Sequence, residues 1–107
     1  MSLDITLTAN RPTEVFEANI THNLATMAEE AGLYTYLWRP EELGITKAED
    51  LILPLTNGLT LLRRDREYFE AFNPKNEYGT YGTLVSFVIN YLRACKENPD
   101  AEISVSR

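Results

Sequence analysis

Residues for redox and metal chemistry are scarce in this sequence, which contains one cysteine and one histidine. The single cysteine, Cys95, leaves no partner for an internal disulfide, and a zinc site built from histidine and cysteine would lack ligands. Cys95 lies within an apolar helical pattern, which predicts a buried, unreactive thiol in a reducing compartment. We therefore expect neither a metal site nor a bound cofactor.

Long hydrophobic runs are also missing. No stretch of 18 apolar residues occurs, and no basic segment precedes an apolar one near the N-terminus. A membrane-spanning helix and a secretory signal are accordingly not indicated. The sequence predicts a cytoplasmic protein without a membrane partner.

Positive charge is in short supply, with ten Lys and Arg residues against sixteen Asp and Glu and a formal net charge of −6. Affinity for a phosphate backbone comes mainly from cationic contacts, so a nucleic-acid partner is not expected. The imbalance is confined to one half of the chain. Residues 1–50 hold nine acidic and three basic residues, whereas residues 51–107 hold seven of each. We therefore expect the N-terminal half to give the molecule an acidic face.

The overall composition is that of a globular domain. The chain has 107 residues, of which 44% are hydrophobic and 24% are charged. This length provides one hydrophobic core and no second one, so residues 1–107 are expected to form a single domain.

Strands are predicted at both ends of the chain. Apolar and polar residues alternate over residues 3–9 and again over residues 100–107, as in a strand with one buried face. Turn residues at 10–13 precede residues 14–20, which fit a second strand of a hairpin, although a helix there stays open. We expect these strands to share one small sheet.

Three main helices are predicted between the strands. The first runs from Thr21, as its cap, to about Ala31, and the second begins with a Thr46 capping box and is kinked or broken near Pro54. Residues 33–38 are expected to form an aromatic turn, and Asp65 to cap a short helix ending at Phe72.

The last helix extends from Tyr81 to about Lys96 and is apolar all round, which places it at the centre of the core. The fold class expected from this order is α+β: a small two- or three-stranded sheet from the N- and C-terminal strands, covered by three main helices.

One candidate site lies where the second strand gives way to the first helix. Asn19, Thr21, His22 and Asn23 cluster there, at a helix start that favours anions. The alternative is a capped helix start whose side chains only satisfy the local backbone. His22 has no nucleophile or acidic partner nearby in the sequence, so no catalytic residue is assigned.

A second candidate site comprises Trp38, Arg39 and the later Tyr78, because aromatic faces stack on bases and guanidinium groups bind phosphates or carboxylates. The alternative is a core tryptophan beside an arginine paired with a nearby glutamate. Chain reversal at Gly32 leads us to predict that His22, Asn23, Trp38 and Arg39 line one concave surface.

Five short runs stand out in this sequence: Asn19–Leu24, Met27–Gly32, Leu37–Pro40, Tyr91-Leu92 with Ala94-Cys95, and Val105–Arg107. As a set they resemble a family of short, uncharacterised bacteriophage and prophage proteins. The resemblance spans nearly the whole chain, except that Glu77-Tyr78-Gly79 replaces a Gly-Trp-Gly-like turn. It implies a phage origin and a bacterial host cytosol, and it implies no reaction.

Together these features predict a non-enzymatic phage accessory protein that binds a small anionic or nucleotide-like ligand, or a host factor. The alternative is an acidic protein–protein interaction module, with a host protein, a virion protein or a second copy as its partner and no small ligand. The sequence leaves the oligomeric state open.

Overall fold

A three-stranded antiparallel sheet forms one layer of the molecule. The structure, a computed structural model, describes residues 1–9 and 13–107, so most of the predicted turn at 10–13 lies outside the described residues. Strands β1 (Ser2–Thr8), β2 (Glu14–Thr21) and β3 (Glu102–Ser106) are arranged in the order β2-β1-β3. The predicted α+β fold is confirmed, and β2 is a strand rather than a helix.

The sheet has one buried face, as the alternating pattern predicted. Leu3, Ile5 and Leu7 of β1 are fully buried beneath the helices. The register pairs Leu3 with Ile20 and Leu7 with Ile103, so apolar side chains from all three strands share this face. The hairpin register shifts by one residue after Leu7, which is a bulge near the start of β2.

The first helical region is divided by turns. A 3₁₀ turn (His22–Leu24) leads into α1 (Ala25–Glu30), and Gly32, with a φ of 74°, reverses the chain. The predicted aromatic turn is instead helix α2 (Tyr34–Trp38), followed by a 3₁₀ turn (Pro40–Leu43). Thr21 caps the 3₁₀ turn rather than a continuous helix to Ala31.

The predicted capping box at Thr46 is wrong. The Thr46 carbonyl accepts a hydrogen bond from the Ile103 amide at 2.9 Å, which draws this segment into the edge of β3. A 3₁₀ turn (Ala48–Leu51) follows, and helix α3 begins only at Ile52 (Ile52–Arg64). The helical segment is therefore broken before Pro54, which lies in the first turn of α3, where its missing amide costs little.

Helix α4 (Arg66–Glu70) is shorter than predicted, and Asp65 precedes it without a side-chain cap. Helix α5 (Tyr81–Glu97) matches its prediction in extent and in its central position. It is not apolar all round, because an exposed polar stripe faces away from the core. The stripe comprises Thr83, Ser86, Asn90, Arg93 and Lys96. A capping box is present here, between Thr80 and Thr83.

Cys95 is fully buried in the core formed by these elements, and burial raises the pKa of its thiol to about 12. In native protein at pH 8, we expect a thiol reagent to label Cys95 at least about a hundredfold more slowly than an unfolded cysteine. The measurement compares labelling rates in buffer and in denaturant. Rapid stoichiometric labelling of the native protein would contradict this prediction.

Among the residues that the structure describes, no helix is both long enough and apolar enough to cross a membrane.

Candidate functional site

Four of the residues singled out in the sequence line one cavity. Asn19, Thr21, Asn23 and Tyr78 surround an open space of about 520 Å³ at the end of β2. The remaining lining residues are Met1, Ile20, Gly79 and Thr83. We call this space the polar cavity. It brings together two segments of the chain that are more than fifty residues apart.

The strand end and the loop before α5 are held together by close packing at Gly79. Gly79 has a φ of 90°, and a Cβ atom there would lie 2.8 Å from the Thr21 methyl carbon. The Tyr78 amide donates to Asn76 Oδ1 at 3.1 Å, which fixes the backbone of the loop. The Tyr78 side chain is 70% exposed, so its ring faces are available for stacking.

Helix α5 begins beside the polar cavity. Thr83, in its first turn, lines the cavity, and the Tyr81 amide donates to Asn73 Oδ1 at 2.7 Å. The positive end of the helix dipole therefore lies near the cavity and favours an electronegative group there.

Among the described residues that line the polar cavity there is no Lys, Arg, His, Asp or Glu side chain. Its polar groups are carboxamides and hydroxyls. Asn19 projects onto the outer face of the sheet, where its amide nitrogen donates to Ser2 Oγ at 2.8 Å and to Asp4. Asn23 is exposed, and its backbone amide donates to Thr21 Oγ1 at 3.2 Å.

His22 and Trp38 meet in the structure, but Trp38 is buried in the core and His22 is half-buried beside it. The Trp38 indole N–H donates to His22 Nδ1 at 2.8 Å, and Trp38 is only 2% exposed. Tyr34 stacks on Trp38 with ring centroids 5.4 Å apart. Because Trp38 is covered in this way, the prediction that it lines a concave surface with Asn23 is wrong. His22 satisfies a buried donor instead.

Arg39 makes local contacts. Its Nε donates to the Tyr34 hydroxyl at 3.2 Å, and Nη1 lies 3.5 Å from Glu42. The hydrogen bond with Tyr34 raises the pKa of Arg39 above its ordinary value. None of His22, Trp38 and Arg39 belongs to the lining of the polar cavity.

Among the concave surfaces that sequence reasoning missed, two lie against α5. One is a groove of about 470 Å³ between β2 and α5, and the other is a depression of about 610 Å³ between α3 and α5. Arg63, Arg64 and Lys96 line the depression. The signal in the sequence was the basic last turns of the two helices, which also complement the helix dipoles.

Titratable groups with strongly raised pKa values lie in the core rather than at the polar cavity. Burial raises the pKa of Tyr91, whose hydroxyl has no hydrogen-bond partner among the described residues. In the described part of the chain, no cluster of three His, Cys, Asp or Glu residues is arranged to hold a metal ion. Comparison of the chain with protein-family models, curated proteins and solved structures yields no match.

Proposed function

We propose that this protein is a non-enzymatic binding protein for a small nucleotide-like ligand, which occupies the polar cavity. The observation that carries the proposal is the convergence of Asn19, Thr21, Asn23 and Tyr78 on one cavity. The lining offers carboxamides, hydroxyls and an aromatic ring, which are groups that bind a ligand by hydrogen bonding and stacking.

The chemistry of the lining favours a ligand with a planar part and a polar part. The exposed Tyr78 ring offers a stacking face for a base, and the Asn23 carboxamide can both donate to and accept from a base edge. An anionic group of the ligand would be favoured near the first turn of α5, at Thr83. A nucleotide combines these features.

The setting that we propose is a bacteriophage accessory protein in the cytosol of a bacterial host. Support comes from the resemblance of runs such as Asn19–Leu24 to short phage proteins. A host factor is the other class of partner consistent with that setting.

Substitution of Tyr78 by alanine is expected to weaken binding about tenfold or more, because stacking of one base on an aromatic ring contributes about 1–3 kcal/mol. The probes are nucleoside monophosphates and cyclic dinucleotides, screened first by thermal shift. A probe at 100 times its dissociation constant should stabilise the native state by about 2.7 kcal/mol. Titration calorimetry then gives the dissociation constants of the wild-type protein and the variants.

Two variants serve as controls for this measurement. Tyr78→Phe keeps the ring and should retain most of the affinity, whereas Arg39→Ala removes a side chain outside the polar cavity and should bind like the wild type. Equal affinity of the wild-type and Tyr78→Ala proteins would place the site elsewhere. Failure of every probe to shift the melting temperature would reject a nucleotide-like ligand.

A further inference from the structure

The two edges of the sheet differ in how well they are covered. Strand β3 is flanked by residues 46–48, through the hydrogen bond from Ile103 to Thr46 and another from the Ala48 amide to the Ala101 carbonyl at 2.9 Å. A bridge between Lys47 and Glu102 completes that cover. On the opposite side, β2 forms the other edge of the sheet, and no described strand pairs with its outer side.

The outward-facing backbone groups of β2 follow from its ladder with β1. The His22 amide donates to the Met1 carbonyl at 3.3 Å, so Met1 and His22 form a hydrogen-bonded pair. Such pairs alternate in antiparallel sheets, so Ala18 and Ile20 bond to β1. The N–H and C=O groups of Glu17 and Asn19 therefore point away from the sheet.

This free edge opens onto the groove between β2 and α5. Five consecutive residues of β2, 15–19, line the groove, as expected for a strand edge rather than a strand face. Phe16, Phe87 and Ala94 give the groove an apolar floor, and Val15 is 38% exposed beside it. Strand β2 has no lysine and no proline within it to oppose pairing with another strand.

We propose that a second copy of this chain pairs with β2 along this edge, antiparallel and centred on Ala18, to form a continuous six-stranded sheet. A two-fold symmetric pair requires a self-complementary edge. Centring on Ala18 places each Glu17 opposite Asn19 of the second copy, so that no two carboxylates are directly opposite each other, with two small side chains at the axis. Phe16, which lines the groove, then lies opposite Ile20.

Neighbouring registers fit less well. An antiparallel pair of β2 strands can be centred on Glu17, Ala18 or Asn19. In each of these registers the outward-facing N–H and C=O groups of the two strands meet. Centring on Glu17 places two carboxylates directly opposite each other, which is destabilising. Centring on Asn19 moves the exposed Val15 beyond the paired strands. The register on Ala18 avoids both costs.

The same register brings a side chain of one copy, Arg93, towards the polar cavity of the other copy. The role of Arg93 in ligand binding rests on the proposed function. Helix α5 runs antiparallel to β2, because Thr83 lies beside Asn19 and the Tyr91 ring lies 6.0 Å from that of Phe16. Arg93 is therefore at the Phe16 end of the groove. In the dimer, the Phe16 end of each groove lies against the Thr21 end of β2 in the second copy. Each Arg93 therefore approaches the polar cavity of the other copy.

The first test is the mass in solution, measured by sedimentation velocity between about 5 and 200 µM protein. We expect a dimer that dissociates on dilution. Glu17→Pro removes an outward-facing amide that β1 does not use, so it should give a folded monomer, with Glu17→Gln as a dimeric control. A monomeric wild-type protein at every concentration, or a folded Glu17→Pro variant that still dimerises, would overturn the proposal.

A second test reads the register and does not depend on the proline variant. Ala18→Cys should form a disulfide-linked dimer under mild oxidation, because opposed residues at the axis lie within disulfide range and Cys95 is buried. Glu17→Cys and Asn19→Cys should crosslink much more slowly. No preference for Ala18→Cys would reject this register. A third outcome is also possible: the wild-type protein is monomeric, and the Ala18→Cys variant forms a disulfide with an unrelated extended peptide. That outcome would assign the edge to another partner and reject the second copy.

The role of Arg93 is tested separately. Arg93→Gln should leave the dimer intact while it weakens binding of a nucleoside monophosphate more than binding of its nucleoside. Equal effects on both probes would reject the contribution of Arg93. If no nucleotide binds even the wild-type protein, the proposed function fails, while sedimentation and crosslinking still decide the pairing of β2.

Discussion

Replacement of Trp38 by alanine is expected to lower the free energy of unfolding by about 3–5 kcal/mol, as for other large buried aromatic residues. The Trp38 side chain is 2% exposed, stacks on Tyr34, and donates its indole N–H to His22. Alanine would leave a large cavity and an unpartnered imidazole nitrogen. Chemical denaturation monitored by circular dichroism measures the change.

The hydrogen bond within this cluster can be separated from the packing. His22→Ala leaves the indole N–H of Trp38 buried without its partner and should cost about 1–3 kcal/mol. Trp38→Phe removes that donor, so His22→Ala should cost less in the Trp38→Phe background than in the wild type. A double-mutant cycle measures this coupling. If His22→Ala were neutral in the wild-type background, the structural role of His22 would be rejected.

Gly58→Ala is expected to destabilise the protein by about 1–3 kcal/mol, although alanine is the better helix former by about 1 kcal/mol. Gly58 is buried in α3, and a Cβ atom there would overlap the side chain of Leu33. Leu33 is itself fully buried and has little room to move. Thermal and chemical denaturation of the variant measure the loss.

A matched glycine in another helix provides the control. Gly82 is exposed in the first turn of α5, and the nearest atom to an added Cβ would be Thr80 Oγ1 at 3.6 Å. Gly82→Ala should therefore leave stability unchanged or raise it by up to about 1 kcal/mol. Shortening Leu33 to alanine should reduce the penalty of Gly58→Ala. A Gly58→Ala variant as stable as the Gly82→Ala variant would contradict the close packing of α3 against Leu33.

The proposed ligand site and the proposed dimer edge are neighbours on β2. Asn19 and Thr83 line both the polar cavity and the groove between β2 and α5. A ligand in the polar cavity would therefore change the affinity of the two copies for each other. Sedimentation in the presence of a bound nucleotide would detect such coupling as a change in the dimer dissociation constant.

Local periodicity was enough to predict the main elements. The alternation over residues 3–9 predicted β1, and the apolar pattern between Tyr81 and Lys96 predicted α5 almost to its ends. The capping signal at Thr46 failed because a long-range contact with Ile103 competes for the same backbone. Local signals cannot register such competition, since the competing strand lies more than fifty residues away.

In the candidate site, too, the local sequence predicted some features and tertiary packing decided others. The sequence indicated Asn19, Thr21, Asn23 and Tyr78 from their chemistry, and all four line the polar cavity. The same criteria also selected Trp38, which the fold buries against His22. Residue type establishes what a side chain can do, whereas burial decides whether a ligand can reach it.

By itself the sequence determined the fold class, the single core, the acidic character and the strands at both ends, because these follow from composition and from periods of two and 3.6 residues. Only the tertiary structure decided that the segment before α3 completes the edge of β3, that His22 satisfies a core tryptophan, and that no other described strand pairs with the outer side of β2. Each depends on which distant segments pack together, and that outcome comes from the free energy of the whole chain rather than from any local window.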